Sequence, residues 1–271
     1  MSPRTPSPRT PARTGVHIGL LWPALSVLTV FTYNTWLLWR PMNGHVAIFN
    51  GYLSEFSASD QPHSFFFRGG DLITALIVGA LGVRALVLWR RHRDAARAGL
   101  RTQPGRWWVV SALFLLLFAV ATFFDAFFAM DCSPTLSEAC KVAEEAGTLS
   151  GVHYAHTFTS VGAQVGIVAS MVATYIAMVR SHQQTEARRR IVLALSVFEV
   201  VALTVMMALL VLDLPGLGYP QAVMVVVASL WFAAVGFRLV GEDAVYPPAD
   251  RARAATTPHP DVMAGGRGHR G

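Results

Sequence analysis

Charged residues are scarce in this sequence. Only 14% of the 271 residues are charged, whereas 53% are hydrophobic, and soluble domains carry about 25% charged residues. The apolar residues are also concentrated in blocks rather than spread along the chain. These two features exclude an ordinary soluble domain and indicate a membrane protein.

The motifs of several enzyme classes are missing as well. The sequence contains no glycine-rich nucleotide-binding loop, no nucleophile elbow and no zinc-protease motif. Its net charge of +6 comes from arginines beside the apolar blocks, where they act as topology signals and contact anionic lipids. We therefore expect membrane lipids as partners and no nucleic acid, and no motif identifies a protein partner.

Six apolar blocks predict six transmembrane helices. Each block has about twenty residues, enough to cross ~30 Å of hydrocarbon as a helix. None shows the short alternating pattern of a membrane barrel strand. The predicted fold is all-α, with one six-helix bundle within residues 17–240. The blocks are 19–39, 72–89, 107–130, 153–179, 191–212 and 221–240.

The placement of basic residues predicts the orientation of the bundle. When six spans are drawn, all of the 22 basic residues except Arg40, Arg68 and Lys141 lie on the side of the N-terminus. Positively charged segments stay in the cytoplasm, so we predict a plasma-membrane protein with both termini inside. Residues 1–16 and 241–271, rich in Pro and Arg, are predicted to be disordered cytoplasmic tails.

The chain has two cysteines, Cys132 and Cys140, and both lie in the second predicted outer loop. Disulfides form outside the cytoplasm. We therefore predict a bridge between them, with two free thiols or a pair of metal ligands as the alternatives.

Four ionisable side chains share one depth, at the outer ends of the predicted helices: Asp71, Asp125, His153 and His156. Such residues are costly in a bilayer and require a reason. Asp125, His153 and His156 could bind zinc or another divalent cation, with Asp71 as a further ligand or general base. On that hypothesis Asp71 and Asp125 are catalytic. The alternatives are a structural hydrogen-bond network and a proton or ion path.

The fourth block has two distinct faces. Gly162, Gly166 and Ser170 recur every four residues, with Thr174 continuing the row. Small residues at this spacing allow close helix contact, so we predict a packing seam within the chain rather than a dimer contact. The opposite face is polar and includes His153, His156, Ser160 and Gln164.

Other polar residues allow two interpretations each. In the first outer loop, Ser54, Glu55, His63 and Arg68 could contribute to the site, or they could cap and fold the loop. Glu199 lies near the middle of the fifth block. A carboxyl at that depth is either protonated and hydrogen-bonded or part of a proton route.

Two stretches at the predicted outer face carry a family pattern. The first consists of Asn50-Gly51-Tyr52-Leu53-Ser54-Glu55, Pro62, Phe67-Arg68 and Asp71. The second consists of Phe124-Asp125-Ala126, Met130-Asp131-Cys132, Cys140, His153-Tyr154-Ala155-His156 and Ser160. They resemble the bacterial membrane family called domain of unknown function 998 and, more distantly, the Frag1/DRAM group. The resemblance implies a six-helix fold and no established activity.

Three functions are compatible with the sequence. The first is a metal-dependent hydrolase of a lipid or lipid-linked group at the outer face. The second is a non-enzymatic accessory protein that binds a lipid or a partner protein. The third is a small transporter that uses Glu199. The sequence leaves open whether the protein is an enzyme.

Overall fold

The computed structural model describes residues 18–44, 51–99, 105–181 and 185–236, so both predicted tails lie outside the described residues. Every regular element in these ranges is helical, as predicted, and none is a strand. Short 3₁₀ turns cover Thr35–Leu38 and Leu53–Ser57. The α-helices are α1 Ile18–Thr32, α2 Trp39–Asn43, α3 Ser64–Arg97, α4 Arg106–Phe127, α5 Glu138–Glu145, α6 Gly151–Ser181, α7 Glu186–Val211 and α8 Gly218–Ala234.

Four described helices, α3, α4, α6 and α7, are long and apolar enough to cross a membrane, and α1 and α8 are shorter apolar helices. The side chains on their outward faces are large and apolar, for example Phe158 at 78% exposure and Phe198 at 61%. Exposure of such a large apolar surface to water is unfavourable, whereas its contact with lipid chains is not. The protein is therefore a multi-pass, membrane-type helical bundle.

The first apolar block does not form the continuous helix predicted for 19–39. Helix α1 ends at Thr32, and a 3₁₀ turn separates it from α2. The Asn34 side-chain amide donates hydrogen bonds to the Val30 carbonyl and the Ser229 hydroxyl, both at 2.8 Å. A side chain that binds the preceding turn competes with the helical backbone pattern, and its partner on α8 holds the break in place.

Helix α3 is longer than predicted. It runs for 34 residues, well beyond the predicted 72–89, because the aromatic stretch before the block and the arginine-rich stretch after it are also helical. At the arginine-rich end, the guanidinium of Arg93 lies over Trp89 at 4.9 Å and that of Arg180 lies over Trp107 at 5.3 Å. We call this the arginine end of the bundle.

The helices pack in a ring that follows the chain order: α1, α3, α4, α6, α7, α8 and back to α1. Side chains from several helices fill its centre. Phe118 of α4 and Phe232 of α8 meet with ring centroids 4.7 Å apart, and Trp231 donates a hydrogen bond to the Ser170 hydroxyl at 3.3 Å. The α1–α3, α4–α6 and α7–α8 connections share the other end, which we call the loop end.

The predicted packing seam is confirmed as the contact between α4 and α6. A Cβ atom on Gly166 would lie 2.6 Å from the backbone nitrogen of Phe118, so only glycine allows this approach. Further along the row, the hydroxyls of Ser111 and Thr174 hydrogen-bond at 2.7 Å. The seam holds α4 and α6 together along their length and fixes the side chains at their loop end.

Candidate functional site

The second loop is stapled at the loop end. Cys132 and Cys140 form the predicted disulfide, with their Cα atoms 6.0 Å apart. Cys140 lies in helix α5, which the sequence analysis did not predict. The Ser137 hydroxyl caps this helix by accepting a hydrogen bond from the Cys140 N–H at 3.3 Å. Serine directly before Glu138 is the local signal that indicates such a helix start.

Glu55 ties the first loop to the second. Its buried carboxylate accepts hydrogen bonds from the Thr135 backbone N–H at 3.1 Å and from the Thr135 hydroxyl. Burial raises the pKa of Glu55, and the two Thr135 hydrogen bonds partly oppose that rise. Asp60 adds a second tie, accepting from the Ser133 N–H at 3.1 Å. Glu55 therefore folds the loops, the second of its two predicted roles.

Of the other first-loop candidates, Ser54, His63 and Arg68, only Ser54 lines the cavity described below. His63 is exposed and precedes α3 with a left-handed backbone, φ 61°. The Arg68 guanidinium lies over the Phe65 ring at 4.5 Å. Neither His63 nor Arg68 is among the cavity-lining residues.

His153 uses both ring nitrogens within the second loop. Its Nδ1 accepts a hydrogen bond from the Asp131 N–H at 3.1 Å, and its Nε2 lies 3.3 Å from a Glu144 carboxylate oxygen. Since Nδ1 accepts, Nε2 carries the proton and donates. Asp131 in turn accepts from the Ser150 N–H and hydroxyl, each at 2.7 Å, and these bonds lower the pKa of Asp131.

His156 has a different environment one turn further into the bundle. Its Nδ1 lies 2.9 Å from the Phe128 carbonyl oxygen and 3.2 Å from Asp125 Oδ1. A carbonyl only accepts, so Nδ1 carries the proton. Asp125 also accepts hydrogen bonds from the hydroxyls of Thr159 at 2.5 Å and Ser160 at 3.0 Å. This network holds α4 to α6.

The predicted metal centre is not supported by this geometry. His153 faces Glu144 and Asp131, whereas His156 faces Asp125, so the two imidazoles do not converge. Within the described ranges, no group of three or more His, Cys, Asp or Glu side chains could hold a metal ion. Asp71, Asp125, His153 and His156 lie at a similar depth but do not form one metal-binding group. Sequence spacing predicts how deep a side chain lies along its helix, and it does not predict the direction of an imidazole ring.

Asp71 and Asp125 do share a site, a cavity of about 130 Å³ at the loop end. Gly70 places Asp71 there, because a Cβ on Gly70 would lie 2.7 Å from the Thr35 side chain, so α3 approaches the break after α1 closely. The polar lining includes Ser54, Asp71, Thr122, Asp125, Ser160 and Gln164, and the aromatic lining consists of Tyr33, Trp36, Phe67 and Phe118.

Several lining residues escaped the sequence analysis. Tyr33 and Trp36 flank the break in the first block, and the polar run Tyr33-Asn34-Thr35 inside an apolar block is the signal that could have indicated it. Gln221 of α8 accepts a hydrogen bond from the Leu53 N–H at 2.7 Å. It thereby holds the second 3₁₀ turn over the cavity.

Glu199 is connected to the cavity indirectly. Gln164, which lines the cavity, donates a hydrogen bond to Glu199 Oε1 at 2.8 Å. Glu199 is buried, and its Oε2 has no hydrogen-bond partner among the described residues. The carboxyl deep in α7 thus lies one side chain away from the cavity wall.

Comparison with known proteins identifies the family. A family model described as "Protein of unknown function (DUF998)" matches residues 24–238. The chain belongs to this family. The match runs from within α1 to beyond the end of α8 and confirms the resemblance seen in the sequence, while the more distant likeness to the Frag1/DRAM group stays a prediction. No curated protein and no solved structure matches the chain.

Proposed function

We propose that this DUF998 protein crosses the plasma membrane six times, with the arginine end and both termini in the cytoplasm. The closed ring supports six spans, because α1 and α8 occupy positions equivalent to those of the four long helices. The arginines at one end support the orientation. The Cys132–Cys140 bridge at the other end agrees with it, since disulfides persist outside the cytoplasm.

The function that the geometry supports best is ligand binding. The protein is a non-enzymatic accessory protein that holds a lipid headgroup or a small molecule in the loop-end cavity. One observation carries this proposal: four helices (α3, α4, α6 and α8), the break after α1 and the first loop line one cavity with both polar and aromatic side chains. Binding sites combine apolar surface with a few convergent polar groups in this way.

The metal-dependent hydrolase has less support than binding. Its three proposed ligands divide between two separate hydrogen-bond networks, and both His153 nitrogens have protein partners. A metal would have to displace these partners before any water could be activated.

Transport is the second candidate, favoured by the unpartnered Oε2 of Glu199 beside the cavity wall. A buried carboxyl with an open oxygen can accept and release a proton. In this case, proton uptake into liposomes containing the purified protein should disappear in Glu199→Gln. Uptake that persists in the variant would exclude this use of Glu199.

A cavity-filling substitution tests ligand binding. Ala163 of α6 lines the cavity and is buried, so leucine at this position occupies its volume. Native mass spectrometry of the protein purified from its membrane should detect a bound molecule in the wild type and much less in Ala163→Leu. The matched control is Ala194→Leu on the exposed face of α7, which should keep the bound molecule.

Equal occupancy in the wild type and Ala163→Leu, with both folded by thermal unfolding, would refute binding in this cavity. Incubation of the wild type with its total membrane lipids adds a second readout. Hydrolysed lipid that appears over time, and fails to appear with Ala163→Leu, would indicate an enzyme instead of an accessory protein.

A further inference from the structure

The charged residues that line the cavity are all acidic. Asp71 and Asp125 both line the cavity, and no Lys, Arg or His is among its described lining residues. Asp125 is supplied with donors by Thr159, Ser160 and His156. Asp71 receives no hydrogen bond from any described side chain or backbone group. Two carboxyl groups in one cavity, one of them without donors, favour a positively charged ligand.

An independent observation at the same wall also indicates a ligand. Thr122 of α4 lines the cavity, is 4% exposed, and its hydroxyl has no hydrogen-bond partner in the described part of the chain. Buried hydroxyls without partners are rare, and each one needs a reason. Thr122 lies one helical turn before Asp125, so its unpartnered hydroxyl and the Asp125 carboxyl belong to the same stretch of the lining.

Four aromatic side chains share this cavity with the two carboxyl groups. Tyr33, Trp36, Phe67 and Phe118 line it, and the rings of Tyr33 and Phe118 meet edge to face with centroids 5.7 Å apart. Aromatic faces attract organic cations, and quaternary ammonium groups in particular are bound by such cages. A lining with two carboxyl groups and four aromatic rings suits an ammonium ligand better than a metal ion, which needs more oxygen or nitrogen ligands.

The volume limits the ligand to a compact group. At about 130 Å³, the cavity is smaller than the ~300–1,000 Å³ of sites for drug-sized molecules. A volume of this size suits a headgroup or a small amine better than an acyl chain. Apolar side chains, among them Ile167, Met224 and Val225, also line the cavity, which suits the methyl or methylene groups next to a nitrogen.

We propose that the loop-end cavity binds an ammonium group, primary or quaternary, carried either by a zwitterionic lipid headgroup or by a small soluble amine. Asp71 supplies the principal countercharge, the Thr122 hydroxyl accepts a hydrogen bond from the N–H of a primary ammonium, and the aromatic side chains contact the alkyl part of the cation. This inference rests on the binding function proposed above and names the chemical class of its ligand.

Binding of defined probes tests the inference. The full-length protein in a non-ionic detergent is titrated with ethanolamine, choline, dioctanoyl phosphatidylethanolamine and dioctanoyl phosphatidylglycerol, and with 3,3-dimethylbutan-1-ol as the neutral isostere of choline. Isothermal titration and the shift in thermal unfolding report binding. We expect the ammonium probes to bind and the neutral alcohol and phosphatidylglycerol to bind at least about tenfold more weakly.

Two variants and one control locate the site. Asp71→Asn keeps the side-chain shape and loses the charge, so it should weaken ammonium binding about tenfold or more. Thr122→Val also keeps its shape and breaks no observed hydrogen bond, so it should remain folded and bind several-fold more weakly. The control Asp94→Asn removes an exposed carboxylate that pairs with Arg97 at the arginine end and should leave binding unchanged.

Comparison of the lipid probes with the soluble amines shows which kind of molecule carries the ammonium group. Tighter binding of the phosphatidylethanolamine than of ethanolamine assigns a lipid headgroup, and the reverse assigns a soluble amine; both outcomes support the inference. Equal binding of the neutral isostere, or binding that Asp71→Asn and Thr122→Val leave unchanged, overturns it while the binding function stands. Binding of no probe, together with equal lipid occupancy in Ala163→Leu, overturns both.

Discussion

At the scale of single residues, partners decide what a side chain does. His153 and His156 are one helical turn apart, yet His153 joins Asp131 to Glu144 whereas His156 joins Phe128 to Asp125. The two carboxylates of the cavity differ in the same way. Asp125 accepts several hydrogen bonds between α4 and α6, and Asp71 accepts none from the described residues. Similar residue types thus separate into structural and ligand-facing roles.

The two aspartates should differ in their contribution to stability. Asp125→Asn leaves the hydroxyls of Thr159 and Ser160 with one acceptor oxygen instead of a carboxylate, so we expect a loss of about 1–3 kcal/mol of unfolding free energy. Asp71→Asn, the matched change without bonds to lose, should cost less than about 0.5 kcal/mol. Denaturant unfolding in detergent micelles measures both, and equal losses would contradict the assignment.

The raised pKa of Glu55 predicts a pH dependence of stability. Between about pH 4.3, the ordinary glutamate value, and the higher pKa of the folded state, the folded protein holds a proton that the unfolded chain has released. This contribution is fully present below pH 4.3 and lost as the pH rises through the folded-state pKa. Thermal unfolding from pH 4 to 8 should show a smaller decline in Glu55→Gln than in the wild type.

Asp131 should give a pH dependence of stability in the opposite direction to that of Glu55. Hydrogen bonds from Ser150 lower its pKa, so its contribution is present above about pH 3.9 and lost only as the pH falls below that value. The pH 4 to 8 range therefore reports Glu55 with little contribution from Asp131. An identical decline in the wild type and Glu55→Gln would show that other groups cause it.

At the scale of helices, close approach and interruption place the site. The α4–α6 seam fixes Asp125, and the break after α1 brings Tyr33 and Trp36 to the cavity wall. Gly70 lets α3 reach that break. The cavity therefore depends on two helix contacts and on one place where a helix does not continue.

The seam can be tested with a matched pair of glycines. In Gly166→Ala the new Cβ would lie 2.6 Å from the Phe118 nitrogen, so α4 and α6 must separate, and we expect a loss of about 1–3 kcal/mol. Gly69→Ala on α3 meets no atom within 4 Å and should be neutral or stabilising by about 0.5–1 kcal/mol. Unfolding of both variants in one detergent measures the contrast, and similar values would exclude a tight seam.

The Cys132–Cys140 disulfide in the second loop can also be tested. Denatured protein should take up no maleimide before reduction and two after it, because Cys132 and Cys140 are the only cysteines and are bonded to each other. A Cys132→Ser/Cys140→Ser double variant should lose about 2–3 kcal/mol, the value expected for a short disulfide loop. Labelling of unreduced protein at both positions would show that the bridge is absent.

At the scale of the whole molecule, the ring and the charge asymmetry define two dissimilar ends. We expect alkaline phosphatase, which is active only outside the cytoplasm, to be active when fused after Gly147 at the loop end and inactive after Gly99 at the arginine end. Both positions are exposed. Activity at Gly99 with none at Gly147 would reverse the proposed orientation.

The sequence predicted the parts of this architecture that depend on local composition. Apolar length predicted the helices, small-residue spacing predicted the seam, and depth selected Asp71 and Asp125. The metal site expected at the two histidines is not supported, because ring direction depends on partners such as Glu144. The break after α1 was missed because it depends on the bond between Asn34 and Ser229, 195 positions apart, and no local pattern contains that information.

The ring order also has a consequence for biosynthesis. Each helix packs on its predecessor in the ring, so a nascent chain can assemble these contacts as successive segments enter the bilayer. The contact between α1 and α8 is the exception, since it requires the first and last segments at once. The cavity needs Gln221 and Met224 of α8. A chain still being translated therefore has no complete binding site, and the protein becomes competent only when its last helix inserts and closes the ring.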